Sequence, residues 1–259
     1  MAANAAPRGE YGIDGSFHVV SARGQAAALT VATVGLAGYA VRSAARARPG
    51  RAAVALALDA GLLGSAGLYL HATRRGKFAV WAEILDELAL TGSETVLDMG
   101  CGRGAVLCAA AARLTTGRAI GVDLWQADQT GNTPQTTLAN AALEGVADRV
   151  EVRTADMTAL PLDDASVDVV VSNLAIHNLA GADGRRAALH EAVRVLRPGG
   201  RLAIADLWET DRHARRLGEL GWERVLRRNL GWRMWYGGPW APTHLVTATK
   251  PEDAAGVNS

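Results

Sequence analysis

The chain is 259 residues long, 49% hydrophobic and 20% charged, with a formal net charge of +1 from 27 basic and 26 acidic side chains and only two cysteines. That composition excludes a disordered chain, a disulfide scaffold and a cysteine-rich zinc site. The near-zero charge conceals a split: residues 1–77 carry nine basic and three acidic side chains (+6), whereas residues 78–259 carry 18 and 23 (−5). The larger part therefore lacks the phosphate-neutralising surplus of a body built to grip duplex nucleic acid.

Residues 1–24 read as an N-terminal tail. Two apolar stretches follow, Gln25–Val41 and Ala52–Leu70, separated by a linker with four arginines. At 17 and 19 residues each is just long enough to cross a bilayer core as a helix. Pro49-Gly50 supplies the turn, so residues 25–76 are expected to form an apolar helical hairpin. Tyr39, Tyr69 and His71 stand at stretch ends, where amphipathic rings favour a membrane interface. Asp59 weighs against insertion, since an acid at a helix centre costs about 2.5–3.5 kcal/mol. The linker cations also fall on the side that a cytoplasmic two-span topology places outside. Basicity thus supports contact with anionic lipid better than it supports spanning. The expectation is membrane contact through residues 25–70 with the remainder cytoplasmic, the hairpin either spanning or lying in the interface.

Residues 77–250 show a different pattern, and 251–259 read as a C-terminal tail. Short β-branched runs, Thr95–Asp98, Ala119–Asp123, Val150–Arg153, Val167–Ser172 and Arg201–Asp206, alternate with helical segments at Trp81–Leu90, Ala105–Leu114, Thr136–Glu144 and Arg185–Leu196. Strands Glu223–Arg228 and Thr243–Thr249 complete the set. The alternation predicts an α/β fold, a Rossmann-like and mostly parallel sheet with helices on both faces, preceded by two apolar helices. Ligands of such sheets sit at the carboxyl ends of the strands.

The most informative segment is Val96-Leu-Asp98-Met-Gly100-Cys101-Gly102-Arg-Gly104, a strand running into a glycine-rich turn and then a helix. Glycines let backbone approach a ligand closely. A G-x-G-x-G alone is weak evidence, compatible with a dinucleotide loop or a tight turn. Asp98, ending the strand before the glycines, suits an ammonium or hydroxyl better than a pyrophosphate. Asp123 ends the second strand, placed to take a ribose diol.

On these residues the chain resembles the class I S-adenosylmethionine (SAM)-dependent methyltransferases, from about Phe78 to Lys250. The resemblance implies SAM as cofactor, with Asp98, Gly100, Cys101 and Gly102 in the motif that holds its methionine part. It implies further that Asp123 binds the ribose and Leu124 lies beside the adenine. In Ala155-Asp156-Met157 the acid would meet the adenine amino group and Met157 would flank the ring. Asn173, at the end of the fourth strand, falls where the family lines the reaction centre, and Arg194–Leu202 resembles the turn into the fifth strand. Enzymes of this class that methylate planar nitrogens carry an Asn/Asp-Pro-Pro-aromatic run where this chain has Ser172-Asn-Leu-Ala-Ile-His-Asn178. That departure speaks against a nucleic-acid or protein-amide substrate.

With an activated methyl donor, a protein mainly supplies proximity, alignment and, where needed, a base. His177 is the candidate base, because it follows the fourth strand and imidazole exchanges protons near neutrality; a packing role is the alternative. Asp206 and Asp128 lie on the same functional edge. Five of the thirteen aromatic residues fall between Trp222 and Trp240, a loop fit for core closure, for a substrate lid or for an interface anchor, and Tyr236 offers a hydroxyl there. Cys101 and Cys108 read as packed thiols, and the six histidines show no metal spacing, so no metal is expected. The sequence thus points to a SAM-dependent methyltransferase acting on a small, lipophilic acceptor at a membrane. Its rivals are a soluble enzyme with a helical lid, a non-enzymatic SAM-binding module and a Rossmann dehydrogenase.

Overall fold

A computed structural model describes residues 7–15, 21–126, 129 and 131–252; Asp128 lies outside them. The chain starts with two long helices, α1 (Ala22–Ala45) and α2 (Pro49–His71), joined by a three-residue turn. Their less exposed positions recur every three or four residues: Leu29, Thr33, Leu36, Ala40 and Ser43 on one, Ala52, Ala55, Asp59, Leu62, Ala66 and Tyr69 on the other. That spacing is the seam of an antiparallel pair, and small side chains in it let the backbones approach. Asp59 lies in the seam rather than on the outer surface. The outer surface is apolar, with Val31, Val34, Val41, Val54, Leu56, Leu58 and Leu63 all more than half exposed.

The hairpin runs on into the body without a break in the helix. Helix α2 passes through a π-helical turn (Ala72–Gly76) into α3 (Lys77–Glu87), so hairpin and body share one continuous helical rod. Wide turns of this kind occur where a helix must accommodate a neighbour. Here the neighbour is the backbone of the aromatic loop: a Cβ on Gly76 would stand 1.8 Å from the carbonyl oxygen of Arg233. Gly76→Ala is therefore expected to cost about 3 kcal/mol by overpacking, seen as a lower thermal midpoint with wild-type helicity.

The body is a seven-stranded sheet of β1 (Thr95–Met99), β2 (Arg118–Asp123), β3 (Val150–Thr154), β4 (Val167–Asn173), β5 (Leu196–Asp206), β6 (Glu223–Asn229) and β7 (His244–Thr249). Their order is β3-β2-β1-β4-β5-β7-β6, parallel except for β7, which runs antiparallel to both β5 and β6. The β-branched strand residues bury both faces, as a parallel sheet requires. Alternate residues such as Val96, Val169 and Ala203 meet α3, α4 (Ala105–Ala111) and α5 (Pro134–Glu144). Their neighbours Leu97, Val170 and Leu202 meet α6 (Gly181–Val195) and α7 (Thr210–Glu219).

Residues 7–15, expected as part of a tail, instead form a strap across the carboxyl-end edge of the sheet. The N–H groups of Arg8 and Gly9 donate to Glu144 and that of Glu10 to Asn140. Tyr11 is buried against Phe78.

Candidate active site

Parallel β1 through β5 end on one edge, and each delivers a polar side chain at or just beyond its last residue: Asp98, Asp123, Asp156, Asn173 and Asp206. The glycine turn after β1 takes left-handed backbone at Gly100, Gly102 and Gly104. At Gly100 the approach is so close that a Cβ would lie 2.2 Å from that of Ala175, so the turn is pressed against the segment after β4. Two adjoining cavities open along this edge, sharing Gly100, Asp123, Ala175 and Asn178. The larger, about 530 Å³, contains Asp98, Cys101, Gly102, Asn173 and His177. The smaller, about 400 Å³, contains Leu124, Asp156 and Met157. All the residues expected to hold the cofactor thus line one continuous groove.

Electrostatics and hydrogen bonding distinguish its three acids, Asp98, Asp123 and Asp156. Asp98 is fully buried, and neither of its carboxylate oxygens has a hydrogen-bond partner. Burial, and secondly the charge of Asp123, raise its pKa to about 8. Asp123 is instead held by backbone: its carboxylate accepts from the N–H groups of Gly102 (2.8 Å) and Trp125 (2.6 Å), which fixes the glycine turn relative to β2. Asp156 is exposed and caps its own turn through the N–H of Thr158. Cys101 is buried beside these acids, which together with desolvation pushes its thiol pKa well up and leaves it an inert, packed group.

An unpartnered, buried carboxylate is a test of the implied cofactor, and it is passed. SAM carries an ammonium group, the one complement that Asp98 lacks in the protein, and the groove offers apolar walls (Leu124, Met157) with an acid at each subsite.

On the β4–β5 side of the larger cavity, His177 is paired with a buried carboxylate. His177, on a short 3₁₀ turn after β4, places Nδ1 2.6 Å from Oδ1 of Asp206 at the end of β5. Asp206 is 1% exposed and also accepts from the N–H groups of His177 (3.1 Å) and Leu207 (2.7 Å). With Nδ1–H given to Asp206, Nε2 keeps its lone pair. The ring is further set by edge contact with Trp208, 5.3 Å between centroids. Asn173 is fixed too, accepting from the indole N–H of Trp81 at 2.8 Å.

The opposite cavity wall was not legible in the sequence. It consists of Asp14 from the strap, Tyr69 from α2, Lys77 from α3, Gln129 and, from the aromatic loop, Tyr236. Only Tyr236 was expected there, and its hydroxyl donates to Asp14 at 3.0 Å. In the aromatic loop Met234 is buried in the core, whereas Trp232 and Trp240 are exposed, Trp232 stacked on His71 at the foot of the hairpin.

This architecture is that of the class I SAM-dependent methyltransferases, and residues 97–204 match the family model described as a methyltransferase domain. Among curated relatives, the arsenite methyltransferase of Halobacterium salinarum is 39% identical over 127 residues, 47% of this chain and 29% of that protein. An O-methyltransferase of Pyrenophora dematioidea is 34% identical over 127 residues, 48% of this chain and 43% of the relative. The chain thus spans less than half the length of either. Among solved structures, the [4+2]-cyclase SpnF superposes with a TM-score of 0.53 at 21% identity, over 68% of this chain and 82% of its own. A cyclase on this fold illustrates that the fold alone does not fix the reaction, which has to be argued from the site.

Proposed function

We propose that the protein is a SAM-dependent methyltransferase acting on a hydroxyl group of a lipophilic acceptor at a membrane surface. The observation that carries the reaction is the juxtaposition, in one cavity, of the unpartnered Asp98 with His177, whose ring is held from behind by the buried Asp206. When bound, the sulfonium supplies an already activated methyl group. Asp98, Asp123 and Asp156 hold its ammonium, ribose and adenine parts, and Leu124 and Met157 flank the base. His177 Nε2 accepts the proton of the acceptor hydroxyl, and buried Asp206 keeps the ring in the required tautomer and steadies its positive form. Buried Trp81 holds Asn173, and Trp208 packs edge-on against the His177 ring. The name of the Pyrenophora relative is in keeping with an oxygen acceptor.

Support for the membrane comes from the hairpin, whose outer faces are apolar all round with the one acid turned into the seam. At its foot the exposed Trp232, stacked on His71, stands near Arg74 and Arg75, which have no ion-pair partner among the described residues. Aromatic rings and unpaired cations at the base of an apolar rod are what a bilayer interface with anionic headgroups accommodates. Tyr69 extends that rod into the cavity wall, so the same helices also act as a lid. Vesicle flotation tests this reading. The full chain is expected to float with phosphatidylglycerol-containing vesicles, and exchange of Val31, Val34, Leu56 and Leu63 for Ser, all outside the seam, should leave most of it in the soluble fraction. Undiminished flotation of that variant would remove the hairpin's role.

A further inference from the structure

Asp14 receives more hydrogen bonds than a strap needs for its anchorage. Its carboxylate accepts from Lys77 Nζ at 2.7 Å, Gln129 Nε2 at 2.9 Å and the Tyr236 hydroxyl at 3.0 Å, while its backbone carbonyl accepts from Tyr69 and its N–H donates to Thr73. The donors stand on α2, α3, the aromatic loop and the segment before α5, and the acceptor Thr73 on the π-turn. Lys77 is 2% exposed, and Asp14 is the single carboxylate paired with it among the described residues. The acid itself comes from a loop tip between two glycines of left-handed backbone, Gly12 and Gly15, beyond the anchoring Tyr11. Ammonium, amide and hydroxyl donors thus converge, inside the cavity, on a carboxylate carried by the strap.

From this arrangement we infer that Lys77, Tyr236 and Gln129 form a subsite for an anionic group of the acceptor, phosphate or carboxylate in class, which Asp14 fills until the acceptor displaces it. The subsite reaches from the glycine turn, where Gln129 accepts from the N–H of Arg103, toward the end of β4: Lys77 is one helical turn from Trp81, whose indole holds Asn173, and His177 follows four residues on. A buried ammonium needs a counter-charge at all times, so exchange of one anion for another is the low-cost route to opening the cavity. The inference rests on the methyltransferase reading and sharpens its substrate class from a lipophilic to an anionic amphiphilic molecule.

The test is equilibrium binding of dodecyl phosphate, dodecanol and inorganic phosphate to the full chain in neutral detergent, read by tryptophan fluorescence, with SAM affinity measured on the same samples. A charge-assisted hydrogen bond corresponds to roughly a ten- to hundred-fold effect. Dodecyl phosphate is expected to bind at least about ten-fold more tightly than dodecanol, and far more tightly than inorganic phosphate. Tyr236→Phe and Lys77→Gln should reduce that preference about five-fold or more. Asp14→Asn, which keeps the strap's shape but withdraws the competing charge, should raise dodecyl phosphate affinity by a similar factor. Should Lys77→Gln fail to fold, Tyr236→Phe and Asp14→Asn decide the matter. Equal binding of dodecyl phosphate and dodecanol, or unchanged affinity in Asp14→Asn, would overturn the inference. So would inorganic phosphate binding as well as its dodecyl ester. A loss of SAM affinity in Tyr236→Phe with dodecyl phosphate unaffected would overturn it too, by assigning the cradle to the cofactor's carboxylate. Because these readouts need no methyl transfer, failure of the parent reading would show separately, as absence of SAM binding by the wild type.

Discussion

Asp98→Asn is expected to make the cofactor-free protein more stable and at the same time to weaken SAM binding about 100-fold or more. Asp98 is buried without a partner, and its pKa stands at about 8 rather than 3.8. A carboxyl whose folded-state pKa is raised contributes its full stability below the unfolded value and loses it as pH rises through the folded one. The wild type should therefore lose stability progressively between about pH 4 and pH 8, by several kcal/mol in all. Asn cannot ionise, so the variant escapes this loss. Its thermal midpoint should exceed that of the wild type by roughly 5–10 °C at pH 9 and match it within about 2 °C at pH 4. Binding changes in the other direction, because removing one partner of a buried ion pair costs about 3–5 kcal/mol. Proton release is the specific signature. At pH 7 the carboxyl is protonated until an ammonium arrives, so titration calorimetry in buffers of different ionisation enthalpy should show about one proton released per SAM bound. At pH 9.5 it should give way to uptake, because the α-amine must then be protonated to pair with the ionised carboxylate, and at pH 7 it should be absent from the variant. Equal proton balance in wild type and variant would separate Asp98 from the ammonium.

The second large effect falls on turnover. His177→Gln should lower kcat by about 10²–10⁴-fold, the range of a positioned base, with SAM affinity within two-fold of the wild type. Asp206→Asn leaves the imidazole in place but replaces an acceptor with a group that can donate to Nδ1, favouring the tautomer with its proton on Nε2. A loss of about ten- to hundred-fold in kcat is expected, together with lower thermal stability, because Asp206 accepts three hydrogen bonds while 1% exposed. Were both variants to retain kcat, the acceptor would need no base and the pair would be a packing contact.

Much of this site is readable along the chain because each β-strand of a parallel sheet ends on the same edge. Asp98, Asp123 and Asp156 each follow a β-branched run, and Gly100–Gly104 mark the one turn where backbone must come close. The His177–Asp206 contact is less accessible. Both residues follow strand ends, but only the adjacency of β4 and β5, a matter of strand order, brings positions 29 residues apart within 2.6 Å. The strap leaves no periodic trace at all: Arg8–Gly15 is polar and glycine-rich, and it is held by backbone N–H groups bonded to side chains about 130 residues away. The rod from α2 into α3 is hidden for another reason. Its hydropathy changes at residue 76, which marks where apolar exposure ends and not where the helix does; the π-turn there is imposed by the Arg233 carbonyl pressing on Gly76.

Methyl uptake into lipid tests the central claim most directly. Membranes incubated with the full chain and SAM labelled in its methyl group should yield label in the organic extract, released as a product bearing an acidic group, and Asp98→Asn and His177→Gln should yield almost none. Label confined to protein or nucleic acid, or no label despite demonstrable SAM binding, would contradict the account.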